Sequence, residues 1–221
     1  MDRHIDHHFD EALAALKQQI LLMSSKVESM VEDCFRALAA RSDLLARQVT
    51  ERDHAVDALE VSIDEQCIEL LARYQPAARD LRFITRGLKI VTDLERVGDL
   101  ACNVASRVLD LIAEEHAPLD LLPMAEIVQR MLKESIDAFI EGDAAKAEAV
   151  LKQDDIVDQL TTKHVHYLIE LAVREPQGIR RIFPASSIVR HLERMADHST
   201  NIAELAIFMV KGRDVRHKRG I

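Results

Sequence analysis

Four acidic pairs recur along the chain at a spacing that suits cation binding. Asp53/Asp57 and Glu95/Asp99 lie in the first part, Asp154/Asp158 and Glu193/Asp197 in the second. Residues four apart share one face of a helix, with Cβ atoms about 5–6 Å apart. Two such pairs on neighbouring helices bring four carboxylates together. Carboxylate oxygens are hard ligands, suited to iron, manganese, magnesium or calcium and acceptable to zinc. The spacing also permits bridging of metals about 3.5–4 Å apart. Asn103 and Asn201 follow one turn after Asp99 and Asp197, where each could add an amide oxygen or a bond that orients a carboxylate.

Spacing alone does not select these pairs. The chain holds 38 acidic residues, and Asp6/Asp10, Glu28/Glu32, Glu60/Asp64, Glu65/Glu69, Asp110/Glu114 and Asp137/Glu141 share the interval. Most of these read as solvated faces. The chosen pairs recur at matched positions, whereas Glu60 and Asp64 answer to Thr161 and Val165. Like charges at this interval repel by a few tenths of a kcal/mol, and keeping that cost twice points to a compensating charge. A bound cation supplies one. Arg96 and Arg194, or other arginines, would supply it as salt bridges, and the sequence leaves both readings open.

Other candidates carry less. His4/His8 has a metal-compatible spacing but sits at the terminus, where a solvated end is expected. Glu51 and His54 give one Glu-x-x-His, the signature that di-iron bundles repeat on two helices; the matching Lys152–Asp155 lacks the histidine. His198 and Cys102 answer to Leu100 and Thr200, so neither has a counterpart. Cys34, Cys67 and Cys102 are odd in number and lack CxxC spacing, which argues against disulfides and against a thiolate zinc site. No Gly-rich phosphate loop, HExxH or nucleophile motif is present.

The elements that must position these residues are helices. Six glycines, five prolines, 4% aromatics and no Trp leave little for turns or strands, and Ala, Leu, Glu and Arg favour helix. Apolar periodicity predicts a first helix from Phe9 to Ala40, with Ile20, Met23, Val27, Met30, Val31 and Cys34 inward. Ser42 and Asp43 break it and cap a second helix, which ends before Gln75-Pro76. A third runs from Ala77 to Glu114, with Leu81, Ile84, Leu88, Val91, Leu94, Ala101, Ala105 and Val108 inward. After the proline-bearing break at 116–123 the pattern restarts, with helices at Met124–Glu141, Asp143–Arg174 and Arg180–Val210. Gly212 is the expected C-cap, and Pro184 fits only in the first turn of the last helix.

The restart is an internal repeat. Met30 to Leu38 answers to Met131 to Phe139, Asp53-x-x-Val56-Asp57-x-Leu59 to Asp154-x-x-Val157-Asp158-x-Leu160, and Leu94-Glu95-Arg96-Val97-Gly98-Asp99 to Leu192-Glu193-Arg194-Met195-Ala196-Asp197. The register slips only in the turn before the last helix of each unit. The expectation is an all-α protein of six long helices in two tandem three-helix bundles, 1–116 and 117–221.

Bulk properties bound the partners. A net charge of −9 repels phosphodiester backbones, and the one basic stretch, Lys211–Arg219, has no interleaved aromatics, so no nucleic-acid partner is expected. The polar N-terminus lacks a signal-like apolar run and no stretch approaches a membrane span. A cytoplasmic protein is expected, reaching a membrane only through partners, with a homodimer or higher homo-oligomer as its assembly.

Leu94–Asp99 with Asn103, its echo Leu192–His198 with Asn201–Glu204, the turn Gln75–Ile84 and the ending Lys211–His217 together resemble the PhoU family. The resemblance spans nearly the whole chain. It implies a two-bundle helical protein whose (Glu/Asp)-x-x-x-Asp motifs bind multinuclear iron or zinc, with manganese or magnesium also acceptable to the donor set. Carried over by position, the ligands are Glu95, Asp99, Glu193 and Asp197, then Asp57 and Asp158, then Asp53 and Asp154. It further implies an adaptor, not an enzyme, that joins the ATPase subunit of a phosphate ABC transporter to a phosphate sensor histidine kinase and represses phosphate uptake and starvation genes. A di-metal carboxylate enzyme and a metal-free helical interaction module are the alternatives.

Overall fold

The computed structural model describes residues 2–76, 78–114 and 119–212. Among them are seven α-helices: α1 Asp2–Ala40, α2 Asp43–Glu51, α3 Asp53–Tyr74, α4 Ala78–Ile112, α5 Leu122–Glu141, α6 Ala144–Arg174 and α7 Ile179–Lys211. A short 3₁₀ turn, Pro176–Gly178, leads into α7. The described residues contain no strand. The predicted division between residues 116 and 117, and the tail beyond Gly212, lie outside the described residues.

Local chemistry sets the helix ends. The Ser42 side chain accepts from the Leu45 N–H at the start of α2, and Asp143 accepts from the Ala145 and Lys146 N–H groups at the start of α6. Both occupy the N-cap position, where an unpaired helical donor needs an acceptor. Gly142 and Gly212 close α5 and α7 in the left-handed region, at φ 69° and 63°, which glycine adopts without strain. Arg41, also left-handed at φ 51°, sends its guanidinium to the Leu111 and Glu114 carbonyls at the end of α4. A cation there complements the helix dipole.

Three expectations are corrected. The second predicted helix is two, because the chain breaks at Arg52 (φ −88°, ψ −11°) between α2 and α3. The Arg52 guanidinium reaches back to Asp33 Oδ2 on α1 at 2.7 Å. The matching Gln153 stays inside an unbroken α6, yet donates to Glu134 on α5 at 2.6 Å, so the helix-to-helix tie is kept while the break is not. Pro184 sits in the second turn of α7, not the first, so the helix continues there with one backbone donor missing. Leu81 is 40% exposed, because the first turns of α4 project past the helices that cover its middle.

The inward stripe of α1 is buried as predicted, as are Ile84, Val91, Leu94, Ala101, Ala105 and Val108 of α4. These side chains belong to one continuous core that runs through both halves of the chain. Within the halves α1 and α3 pack on α4, and α5 and α6 pack on α7. Between halves α4 packs on α7 and α1 on α5. α4 and α1 thus each meet their own repeat counterpart, the pairing that a two-fold axis produces, while α3 and α6 lie outside that contact.

Candidate metal centre

In the first half, α3 turns Val56 and Ile63 into the core and leaves Asp53 and Asp57 half-buried beside α4. Leu94, Val97 and Ala101 do the same for α4, with Glu95 and Asp99 half-buried beside α3. Apolar periodicity on two packed helices therefore forces the acidic residues onto one shared seam. Burial raises the Glu95 carboxyl above its ordinary value, and the charges of Asp99, Glu60 and Asp57 add to it against Arg96. Asp53 is raised by burial and by Asp57 and Asp99, with a hydrogen bond from Cys102 opposing. That bond runs from the Cys102 thiol to Asp53 Oδ1 at 3.5 Å. Burial, then Asp53, pushes the thiol itself up to about 12, so it stands as a neutral donor.

The second half repeats the seam on α6 and α7. Asp154 is buried, Glu193 half-buried, and Asp158 and Asp197 open to solvent. Burial, then the charges of Glu193, Asp154 and Asp158, push the Asp197 carboxyl up to about 6, with His198 opposing.

The eight predicted residues are thus gathered into two groups of four by helix pairs α3/α4 and α6/α7. As the side chains stand, no three His, Cys, Asp or Glu groups among the described residues close on one point as a metal would require. The donor set fits a hard cation, being all carboxylate oxygen on facing helices. Arg96 reaches Glu95 at 3.6 Å from an exposed rim position, and Arg194 is exposed. The His54 ring lies 3.8 Å from Asp57.

The sequence reading missed two members of the first seam. Glu60 is raised by burial and by Asp64 and Asp57, and Asp64 Oδ1 is buried with no hydrogen-bond partner. Both were set aside because the repeat does not match them, and the structure makes the first seam longer than the second. Asn201 does not face its seam. Its amide donates to Asp93 on α4 at 3.1 Å, beside the His198 ring at 2.8 Å from the same oxygen. Both residues therefore serve the contact between halves. His8 sits with His7 at Glu11, and the side chain of His4 is outside the described residues.

Comparison with known proteins decides the lineage. The family described as PhoU domain matches residues 20–108 and 121–206, one stretch in each half. The chain belongs to the PhoU family. It is 39% identical over 220 residues to a phosphate-specific transport system accessory protein PhoU homolog of Pseudomonas aeruginosa, covering 98% of this chain and 91% of that protein. It is 32% identical over 222 residues to the PhoU accessory protein of Escherichia coli K12, covering 100% and 92%. The crystal structure of PhoU from Pseudomonas aeruginosa superposes with TM-score 0.90 at 38% identity, over 93% of this chain and 100% of that one. PhoU from Streptococcus pneumoniae, a phosphate transport system regulatory protein, superposes at TM-score 0.86 and 29% identity, over 94% and 99%. The helical architecture is therefore that of PhoU family proteins.

Proposed function

We propose that this chain is a metal-binding regulatory adaptor of phosphate uptake. It represses uptake and the phosphate-starvation response by linking the ATPase subunit of a phosphate ABC transporter to a phosphate sensor histidine kinase. The family match over both halves, with relatives named as accessory proteins of phosphate-specific transport, carries this reading. The adaptor works through contacts rather than catalysis, from the cytoplasmic side. No described helix is long and apolar enough to cross a membrane, which agrees with membrane association through partners.

Asp53, Asp57, Glu95 and Asp99 would hold iron or zinc in the first half, and Asp154, Asp158, Glu193 and Asp197 in the second. A bound cation supplies positive charge that removes the repulsion along each seam and ties its two helices together. The carboxylates do the rest. They hold the α3/α4 and α6/α7 faces in one register and present a surface whose charge depends on loading.

Metal analysis of untagged protein tests this, in wild type and in Glu95→Ala/Asp99→Ala and Glu193→Ala/Asp197→Ala. Each double variant should lose the metal of its own half and keep that of the other. Equal, negligible metal in all three sinks the coordination reading. The regulatory reading has a separate test: deletion of the gene should leave phosphate-starvation genes active in rich phosphate, and silence there contradicts it. A second reading, a metal-free helical interaction module, draws on the absence of three converging ligands among the described residues and is the one that survives if metal is absent but regulation persists.

A further inference from the structure

A cleft of about 610 Å³ opens where the two halves meet at one end of the molecule. It is walled by α1, the first turns of α4, and the last turns of α5 and α7. Phe83 and Phe139 stack in its wall with ring centroids 5.7 Å apart. Lys17 and Arg82 line it, and Arg86 follows Arg82 one turn along the same face of α4.

The charge here is not balanced. Lys17 Nζ lies 5.2 Å over the Phe83 ring and the Arg86 guanidinium 3.9 Å over the Phe208 ring. These contacts hold the cations in place without neutralising them. The Nε hydrogens of both Arg82 and Arg86 are buried with no acceptor. Among the described residues none of the three cations forms an ion pair, whereas Glu141, one of the two carboxylates lining the cleft, is taken by Lys146 at 2.6 Å. Of the carboxylates lining the cleft, Asp80 is left to face the two lining cations Lys17 and Arg82, in a protein whose net charge is −9. A guanidinium with an ammonium beside it is matched to the oxygens of a phosphate, and the Arg82 Nε hydrogen has an acceptor still to find.

We propose that this cleft binds a dianionic phosphate group, free or as a monoester, on Arg82 and Lys17. The volume exceeds what inorganic phosphate fills, so an ester would rest its body against Phe139 and Met209, with Asp80 accepting from its hydroxyl or amine. The site lies apart from both carboxylate seams and does not rest on their holding metal.

Calorimetry on the full chain, stripped with chelator and dialysed free of phosphate, tests the proposal. The probes are inorganic phosphate, adenosine monophosphate, adenosine and sodium chloride. Phosphate, the monophosphate or both should bind, and adenosine and chloride should not. The ratio of the two affinities tells free phosphate from ester. Arg82→Gln and Lys17→Gln, each with unchanged far-ultraviolet circular dichroism, should weaken binding about tenfold or more, and Asp80→Asn should tighten it. Absence of heat with both phosphate probes overturns the proposal, as does binding that is the same in wild type, Arg82→Gln and Lys17→Gln.

Discussion

Asp93 of α4 and His198 of α7 meet across the two halves, Oδ1 to Nδ1 at 2.8 Å. The side chains are only 16% and 19% exposed, and the Asn201 amide donates to the same carboxylate oxygen. Removing the acceptor strands both donors. Asp93→Ala should therefore cost about 1–3 kcal/mol, measured by urea denaturation. A double-mutant cycle with His198→Ala should return a non-zero coupling; additive losses would show that the contact contributes nothing of its own.

Gly98 faces α3 where the repeat places Ala196. A methyl group there would lie 3.6 Å from Val56 Cγ1 and 3.9 Å from the Met30 terminal methyl, ordinary contact distances. Gly98→Ala should stabilise the protein by about 0.5–1 kcal/mol. Gly87, which answers to Ala185, is tighter, since its new methyl would meet Ile20 Cδ1 at 3.3 Å. Gly87→Ala should gain less, and thermal unfolding of the two variants side by side reads the difference.

Arg52 bonds to Asp33, whose side chain is 12% exposed while Arg36 holds the other oxygen. Arg52→Ala should cost about 1 kcal/mol, little more, because Arg52 is itself partly solvated and Arg36 remains. Arg52→Gln should recover most of that loss, as Gln153 makes the equivalent tie. Urea midpoints for the two variants give the comparison.

Two carboxyls set opposite pH trends. Asp197 is raised to about 6 from an ordinary value of 3.8, so between these values the folded chain holds a proton that the unfolded chain has released. Stability of chelated protein should fall as pH rises through that window, and Asp197→Asn should flatten the fall. Asp143, the α6 cap, is lowered by the Lys146 and Ala145 N–H groups. Its contribution is present above the ordinary value and is lost as pH drops below it. Melting temperatures from pH 3 to 8, taken in wild type and each Asn variant, check both signs.

Much of this was readable in the chain. Ser42 and Gly212 act through neighbours within a turn or two, so their roles as caps follow from local spacing. The gathering of carboxylates into seams also followed, since apolar stripes on adjacent helices leave them one place to go. The break at Arg52 and the turn of Asn201 away from its seam were not legible for a common reason. Each residue takes its role from a partner on another helix, Asp33 or Asp93, and no periodicity in one segment encodes which residue lies opposite. The exposed Leu81 reflects where neighbouring helices stop, which is equally non-local.

The pairing of Asp93 with His198 is not self-complementary. By the repeat, Asp93 answers to His191 and His198 to Leu100. A gene fragment encoding only the first half, dimerised on itself in the manner of the intact molecule, would press Asp93 against Leu100, and one encoding only the second would set two imidazoles face to face. Duplication has thus been followed by divergence that makes each half the specific mate of the other, and neither can stand in for its twin.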